Sequence, residues 1–277
     1  MKDRGRGSRG LGFRRDAELE VGSNAHYEDV AYYAKTYADR TEDVAYYVEL
    51  AASHGGPVLE YGCGSGRIAL PLARLGLSVT GIDRSATMLQ SLRRQAAKET
   101  GLDLTVRRGD MRTKRLGERF ALVLCTFNTF LHLYTRQDVE RFCARVREHL
   151  APSGTFVVDV TVPSPEELDR KPERLHRTSP FKHPSGEVVR YGERFHYDPL
   201  RQVSYVSMEF EPKGSPERGW RVPLTQRQFF PQELEALLHY NGLEVTEVHS
   251  NFIAAPPEPE PEELIYHCRR RRGFRRP

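Results

Sequence analysis

Three glycines, Gly62, Gly64 and Gly66, stand at alternate positions directly after the apolar run Val58-Leu59-Glu60-Tyr61. Glycine lets a chain turn sharply and admits a ligand close to its amides. A helix opening from such a turn, here expected near Gly66, adds free N–H groups, so the spacing points to a nucleotide-like ligand. A second apolar run, residues 77–83, ends in Asp83, 21 positions beyond Gly62. That is where an open α/β sheet places a carboxylate against ribose hydroxyls.

The sixth position of the turn separates two nucleotide classes. A dinucleotide site needs G-x-G-x-x-G/A, its last small residue allowing close packing of helix on strand. Here that position is Arg67, and the run reads E-x-G-x-G-x-G. Glu60 at the strand end repels a pyrophosphate but suits a ligand carrying an ammonium and a sulfonium. On these residues the chain resembles the class I S-adenosylmethionine (SAM)-dependent methyltransferases. The resemblance implies SAM as cofactor and S-adenosylhomocysteine as product. It implies Gly62, Gly64 and Gly66 along the methionine part, Glu60 near its ammonium, and Asp83 on the ribose with Arg84 and Met88 beside it. Asp110 would accept from the adenine amino group, and Met111 would pack on the ring.

The run from Leu124 to Tyr134 resembles a C-x-x-N-S-x-x-H-L-like segment that lines the floor under the methyl group, with Thr126 meeting the cofactor through its backbone. No [DN]-P-P-[YF] motif stands there, which argues against adenine, cytosine or glutamine amino groups as acceptors. Cys125 lacks a preceding proline and reads as a buried strand thiol rather than a nucleophile. Transfer from a sulfonium is a displacement that the enzyme promotes mainly by alignment. His132 is the expected base or substrate-orienting group, because imidazole titrates near neutral pH; the alternative is a helix-start histidine bonded to backbone. Tyr134 is the next candidate. Near the N-terminus, Tyr33 and Arg40-Thr41 reproduce a spacing that contacts SAM in the resembled enzymes, and Arg40 would bond the methionine carboxylate. Tyr37 is expected on the substrate side, although a tyrosine stripe at helical spacing also suits core packing.

Positioning these residues takes an alternation of strands and helices. Strands are expected at 58–61, 77–83, 104–108, 120–125 and 155–160, with helices opening at Ser85 and spanning 138–150. The expected fold class is α/β: a doubly wound, mostly parallel seven-stranded Rossmann-like sheet. After residue 163 the rhythm changes to three alternating segments, 187–197, 202–211 and 219–229, which read as an antiparallel β insert. A helix over 232–240 and strands at 243–249 and 264–268 complete the chain. The insert strengthens the likeness to glycine N-methyltransferase and the aminosugar N,N-dimethyltransferases, in which such a segment covers the substrate; the likeness spans roughly residues 25–250. The division follows: a disordered basic tail at 1–24, a helical lid at 25–52, a SAM-binding core at 53–162, a β-rich substrate-covering insert at 163–230, core helix and strands at 231–270, and a basic tail at 271–277.

With 277 residues, 38% of them hydrophobic, the chain suffices for one elaborated domain. Its four cysteines are scattered with no metal-ligand spacing, so no metal is expected. No run approaches a bilayer span and no leader is seen, so the expected location is cytoplasmic, with no membrane partner. Arginines crowd both ends, but without interleaved aromatics they read as solvated ends, not a nucleic-acid surface. The expected function is methyl transfer to an amine, or a hydroxyl, of a small molecule. The alternatives are an RNA or protein methyltransferase docking through the arginine-rich ends, or a non-catalytic SAM-binding subunit. The sequence leaves the oligomeric state and the acceptor open.

Overall fold

Val58, Leu59, Glu60 and Tyr61 are all buried, as a strand covered on both faces must be, and they form an inner strand of the main sheet. The computed structural model describes residues 13–274. In chain order the helices are α1 (Ala17–Gly22), α2 (Val30–Thr36), α3 (Glu42–His54), α4 (Ala69–Arg74), α5 (Ala86–Ala96), α6 (Arg136–His149), α7 (Pro165–Leu168) and α8 (Pro231–Tyr240). The strands of the core are β1 (Val58–Tyr61), β2 (Val79–Asp83), β3 (Leu104–Arg108), β4 (Phe120–Cys125) and β5 (Leu150–Thr161). Those of the insert are β6 (His176–Arg177), β7 (Phe181–Lys182), β8 (Val188–Asp198), β9 (Val203–Pro212) and β10 (Trp220–Arg227). Strands β11 (Leu243–His249) and β12 (Glu263–Arg270) return to the core.

The main sheet runs β11-β12-β5-β4-β1-β2-β3. Strands β1 to β5 pair in parallel, while β12 is antiparallel to both β5 and β11. This is the mostly parallel, seven-stranded Rossmann-like sheet the sequence implies. The order reverses between β1 and β4, so a crevice opens beyond their carboxyl ends, where open α/β sheets bind ligands. Apolar layers cover both faces: Tyr61, Phe130, Phe142 and Phe156 on one, Tyr47, Leu72, Leu92 and Phe252 on the other.

Local signals set the element ends. Ser85 Oγ accepts the Met88 N–H at 3.2 Å and caps α5, and Thr135 with Asp138 closes a capping box on α6. The helix expected near Gly66 begins only at Ala69, because the glycine turn continues through residue 68. Strand β5 starts at Leu150, five residues ahead of the start expected at 155.

The insert forms a second antiparallel sheet, β10-β9-β8-β6, with β7 also pairing β8. Tyr32 of α2 docks on it, stacked with Phe181 at 5.9 Å and edge-on to Phe210 at 5.1 Å. The expectation of disorder through residue 24 fails for its second half. Asp16 caps α1 by accepting the Leu19 N–H at 3.0 Å, Leu19 is buried, and Gly22 lies so close to β10 that a Cβ would stand 2.5 Å from the Thr225 side chain. The short polar stretch is ordered by a cap and by long-range burial, which composition does not reveal. Residues 1–12 and 275–277 lie outside the described residues. Among the described residues, Arg269 pairs with Glu244 and Arg271 bonds to His239, so these two arginines belong to the fold.

Candidate active site

A cavity opens at the carboxyl ends of β1, β2 and β4 and is roofed by Arg15, Ser23, Asn24, Tyr27 and Tyr33. Its floor begins at Asp83. One carboxylate oxygen accepts the Gly64 N–H at 2.8 Å and the other the Ser85 N–H at 2.7 Å, leaving lone pairs for a ligand. Burial raises the pKa of Asp83, and these amide bonds oppose the rise. Gly64 has φ +51° and open space where a Cβ would stand, so its missing side chain is room in the cavity. Gly62, φ +71°, also lines the cavity; a Cβ there would come within 2.4 Å of Thr129 Oγ1. Gly66 does not face the cavity: its Cα packs against Leu92 and Leu70 between α4 and α5.

Glu60 lies one layer beneath the floor. Its Oε1 accepts from Thr126 Oγ1 at 3.3 Å, and its Oε2 is buried without a partner. Burial pushes its pKa up to about 8, against the opposing Thr126 hydroxyl, Arg67 charge and Ala69 backbone. Arg67, the residue that breaks the dinucleotide pattern, turns outward. It ion-pairs with Asp43 and bonds the Arg40 carbonyl at 2.9 Å, clamping α3 to the glycine turn.

Met88, Arg84, Asp110 and Met111 line the far end of the cavity, as their spacing after β2 and β3 requires. Asp110 is held by Arg112, which donates from Nε at 2.9 Å and Nη2 at 2.6 Å; Arg112 Nη1 reaches Asp138 at 2.5 Å. Burial would raise the Asp110 pKa, but the guanidinium and the Arg112 backbone N–H hold it below the usual range. Arg84 bonds Glu20 of α1 at 3.0 Å, and Glu20 also binds Arg15 at 2.5 Å. The Arg15 guanidinium is the main reason the Glu20 pKa falls to about 2.

At the opposite end stand Thr126, Phe127, Thr129, His132, Tyr27 and Tyr33. Phe127 and Asn128 both adopt left-handed backbone, φ 52° and 61°, a costly pair for non-glycine residues. Buried Asp159 holds them by accepting the Phe127 N–H at 2.9 Å and the Asn128 N–H at 3.1 Å, while Tyr47 donates to it at 2.5 Å. His132 Nε2 meets the Tyr27 hydroxyl at 2.7 Å, and Nδ1 meets Tyr134 at 3.1 Å. Burial, reinforced by Arg15 and Arg84, lowers the His132 pKa to about 3. The ring is therefore neutral and a weak base, contrary to the expectation of a histidine titrating near pH 7.

Three other expectations are corrected. Tyr134 lies behind His132, not in the cavity, and bonds the Thr225 carbonyl at 2.8 Å. Tyr37 does not line the cavity either; its hydroxyl bonds His26 Nε2 at 3.1 Å and its ring packs on Phe127. Arg40 faces a separate depression and pairs with Glu263 at 2.8 Å and Asp43 at 3.4 Å, so its guanidinium is held by β12 and α3 away from the cavity. Conversely, Arg15, Tyr27, Arg112, Phe127 and Thr129 line the cavity without being among the expected site residues. Arg112, two residues past Asp110, is the one whose position gave a local signal.

Residues 58–154 match a protein family described as a methyltransferase domain. Over 125 residues the chain is 31% identical to dTDP-3-amino-3,6-dideoxy-alpha-D-glucopyranose N,N-dimethyltransferase of Streptomyces fradiae, covering 45% of this chain and 47% of that protein. The chain spans about half the length of the curated relatives it matches. Among solved structures it resembles the CcbJ methyltransferase of Streptomyces caelestis at 26% identity and a TM-score of 0.71, over 88% of this chain and 98% of that one. DesVI of Streptomyces venezuelae shares the fold at 21% identity and a TM-score of 0.65, over 86% and 97% of the two chains.

Proposed function

We propose that this chain, whose residues 58–154 match a methyltransferase domain, is a class I SAM-dependent enzyme that transfers a methyl group to an amine of a small molecule. The observation that carries the reading is a single cavity joining the ribose-type carboxylate Asp83, the open backbone at Gly64 and, just beneath its floor, the unpartnered Glu60. An orphaned buried carboxyl oxygen fits the cofactor's ammonium, and the missing Cβ atoms fit its close approach. In this assignment Glu60, Gly62 and Gly64 hold the methionine part, Asp83 the ribose, and Asp110, Met88 and Met111 the adenine. Bound SAM supplies an electrophilic methyl group.

The chain's own part is to bind, orient and exclude water. Tyr27, Tyr33 and Phe127 wall the end of the cavity that would receive the acceptor. An amine suits that end better than a hydroxyl: a neutral amine attacks without first losing a proton, and His132, held neutral, is a weak base. Aminosugar methylation by the S. fradiae relative supports the same preference. The product ammonium gives its proton to bulk water. An RNA or protein substrate is less favoured, because Arg15, Arg269 and Arg271 are bonded within the fold rather than presented as docking groups. The test is turnover with SAM against a panel of aminosugars and their hydroxy counterparts. Methylation of amines only supports the reading; methylation of hydroxyls only, or no turnover with SAM bound, contradicts it.

A further inference from the structure

The Tyr27, His132, Tyr134 and Thr225 groups form a chain of hydrogen bonds whose direction can be worked out. The Tyr134 hydroxyl stands 2.8 Å from the Thr225 carbonyl oxygen and 2.7 Å from Thr225 Oγ1, and because the carbonyl can only accept, the one Tyr134 proton is assigned to Thr225. Toward His132, 3.1 Å away, the Tyr134 oxygen can therefore only accept, so Nδ1 carries the imidazole proton. The groups around the ring are Arg15 ahead of α1, Arg84 after β2, His26 and Tyr27 before α2, Tyr134 on its own segment and the Thr225 backbone on β10; burial and the two guanidiniums keep it neutral against the opposing Thr225 backbone bond. Nε2 is then bare and takes the proton of the Tyr27 hydroxyl at 2.7 Å. The only proton of Tyr27 is thus turned away from the cavity, while its residue lines the cavity wall.

We propose that the Tyr27 oxygen is the hydrogen-bond acceptor for an N–H of the incoming amine, and that His132 and Tyr134 are positioning residues that lock it in that role. The proposal rests on the methyl-transfer reading and names the acceptor class: a neutral primary or secondary amine. An amine bonded through N–H keeps its lone pair for the new N–C bond, as the C–S bond breaks and its electron pair stays on sulfur. Nothing in the relay takes up a proton, since it ends on a carbonyl oxygen. A tertiary amine lacks the N–H that Tyr27 receives, so methylation stops at the tertiary stage.

The decisive measurement needs no acceptor. In the full chain labelled with 15N-histidine, His132 shows a protonated Nδ1 and a bare Nε2 from about pH 5 to about pH 9, and Tyr27→Phe shifts the Nε2 resonance alone. A protonated Nε2, or titration near neutral pH, overturns the proposal whether or not the protein is a methyltransferase. With 3-amino-3-deoxyglucose as the turnover probe, Tyr27→Phe lowers kcat/KM about tenfold with S-adenosylhomocysteine binding retained, which also reports that the variant is folded. The pH inflection follows the amine's own pKa in both proteins. An inflection that belongs to the enzyme and vanishes in His132→Gln would make His132 a base and refute the proposal. Failure of the probe to turn over at all counts against the amine-transfer reading, while the histidine resonances still decide the relay.

Discussion

At one end of the cavity the polar groups come from neighbouring strand ends; at the other they meet from distant parts of the chain. Gly64 and Asp83, bonded to each other, are 19 residues apart, whereas Tyr27 and His132 are separated by 105 and Tyr134 and Thr225 by 91. The first end leaves binding capacity open, in the spare lone pairs of Asp83, the bare face of Gly64 and the orphaned oxygen of Glu60. The second satisfies its polar groups among themselves and offers a ligand a single oriented oxygen and aromatic walls. The first end is set by strand-end geometry. The second depends on how the segment before α2 and strand β10 dock onto the sheet.

If the ends are built separately, they break separately. The largest effect belongs to Gly62→Val, which puts a branched side chain at φ +71° against Thr129; it costs about 3 kcal/mol of stability, seen as a lower midpoint in urea. Asp83→Ala weakens S-adenosylhomocysteine binding about 100-fold by calorimetry, while the protein still unfolds cooperatively. Tyr134→Phe does the reverse: kcat/KM for an aminosugar falls about tenfold and cofactor affinity holds. Loss of both properties in either variant would mean that the two ends are one unit.

The smallest effect concerns the latch between Arg15, Glu20 and Arg84. Glu20 has its folded pKa depressed to about 2 from 4.5, so its contribution is present above pH 4.5 and fades as the pH falls toward 2. Glu20 is two-fifths exposed, which limits the loss in Glu20→Gln to about 0.5–1 kcal/mol at pH 7. The gap between wild type and variant closes on acidification. A gap that widened instead would show that Glu20 is not stabilised as a carboxylate.

The legible part of the sequence was the part whose geometry is local. The glycine turn, Asp83 and the strands around them follow from periodicity and turn chemistry over short stretches, Asp110 from the family resemblance, and even the insert strands declare themselves by alternation. Arg40 shows the limit. Its spacing from Tyr33 matched a ligand contact, yet Glu263, from the far end of the chain, takes its guanidinium. Tyr27 and Arg15 were invisible for the same reason: neither carries a local pattern, and each reaches the cavity only through the packing of α1 and the segment after it on β10. His132 was singled out by position, but its protonation is set by burial and by Arg15 and Arg84, which no spacing encodes.

The central claim, that Glu60 and the glycine turn receive an ammonium-bearing cofactor, is tested most directly by calorimetry with S-adenosylhomocysteine in buffers of different ionisation enthalpy. Because the free protein holds Glu60 protonated at pH 7, with a pKa of about 8, one-to-one binding should release about one proton. The release should disappear at higher pH, where Glu60 is already ionised, and in Glu60→Gln. No binding, or a proton release unchanged in Glu60→Gln, would contradict it.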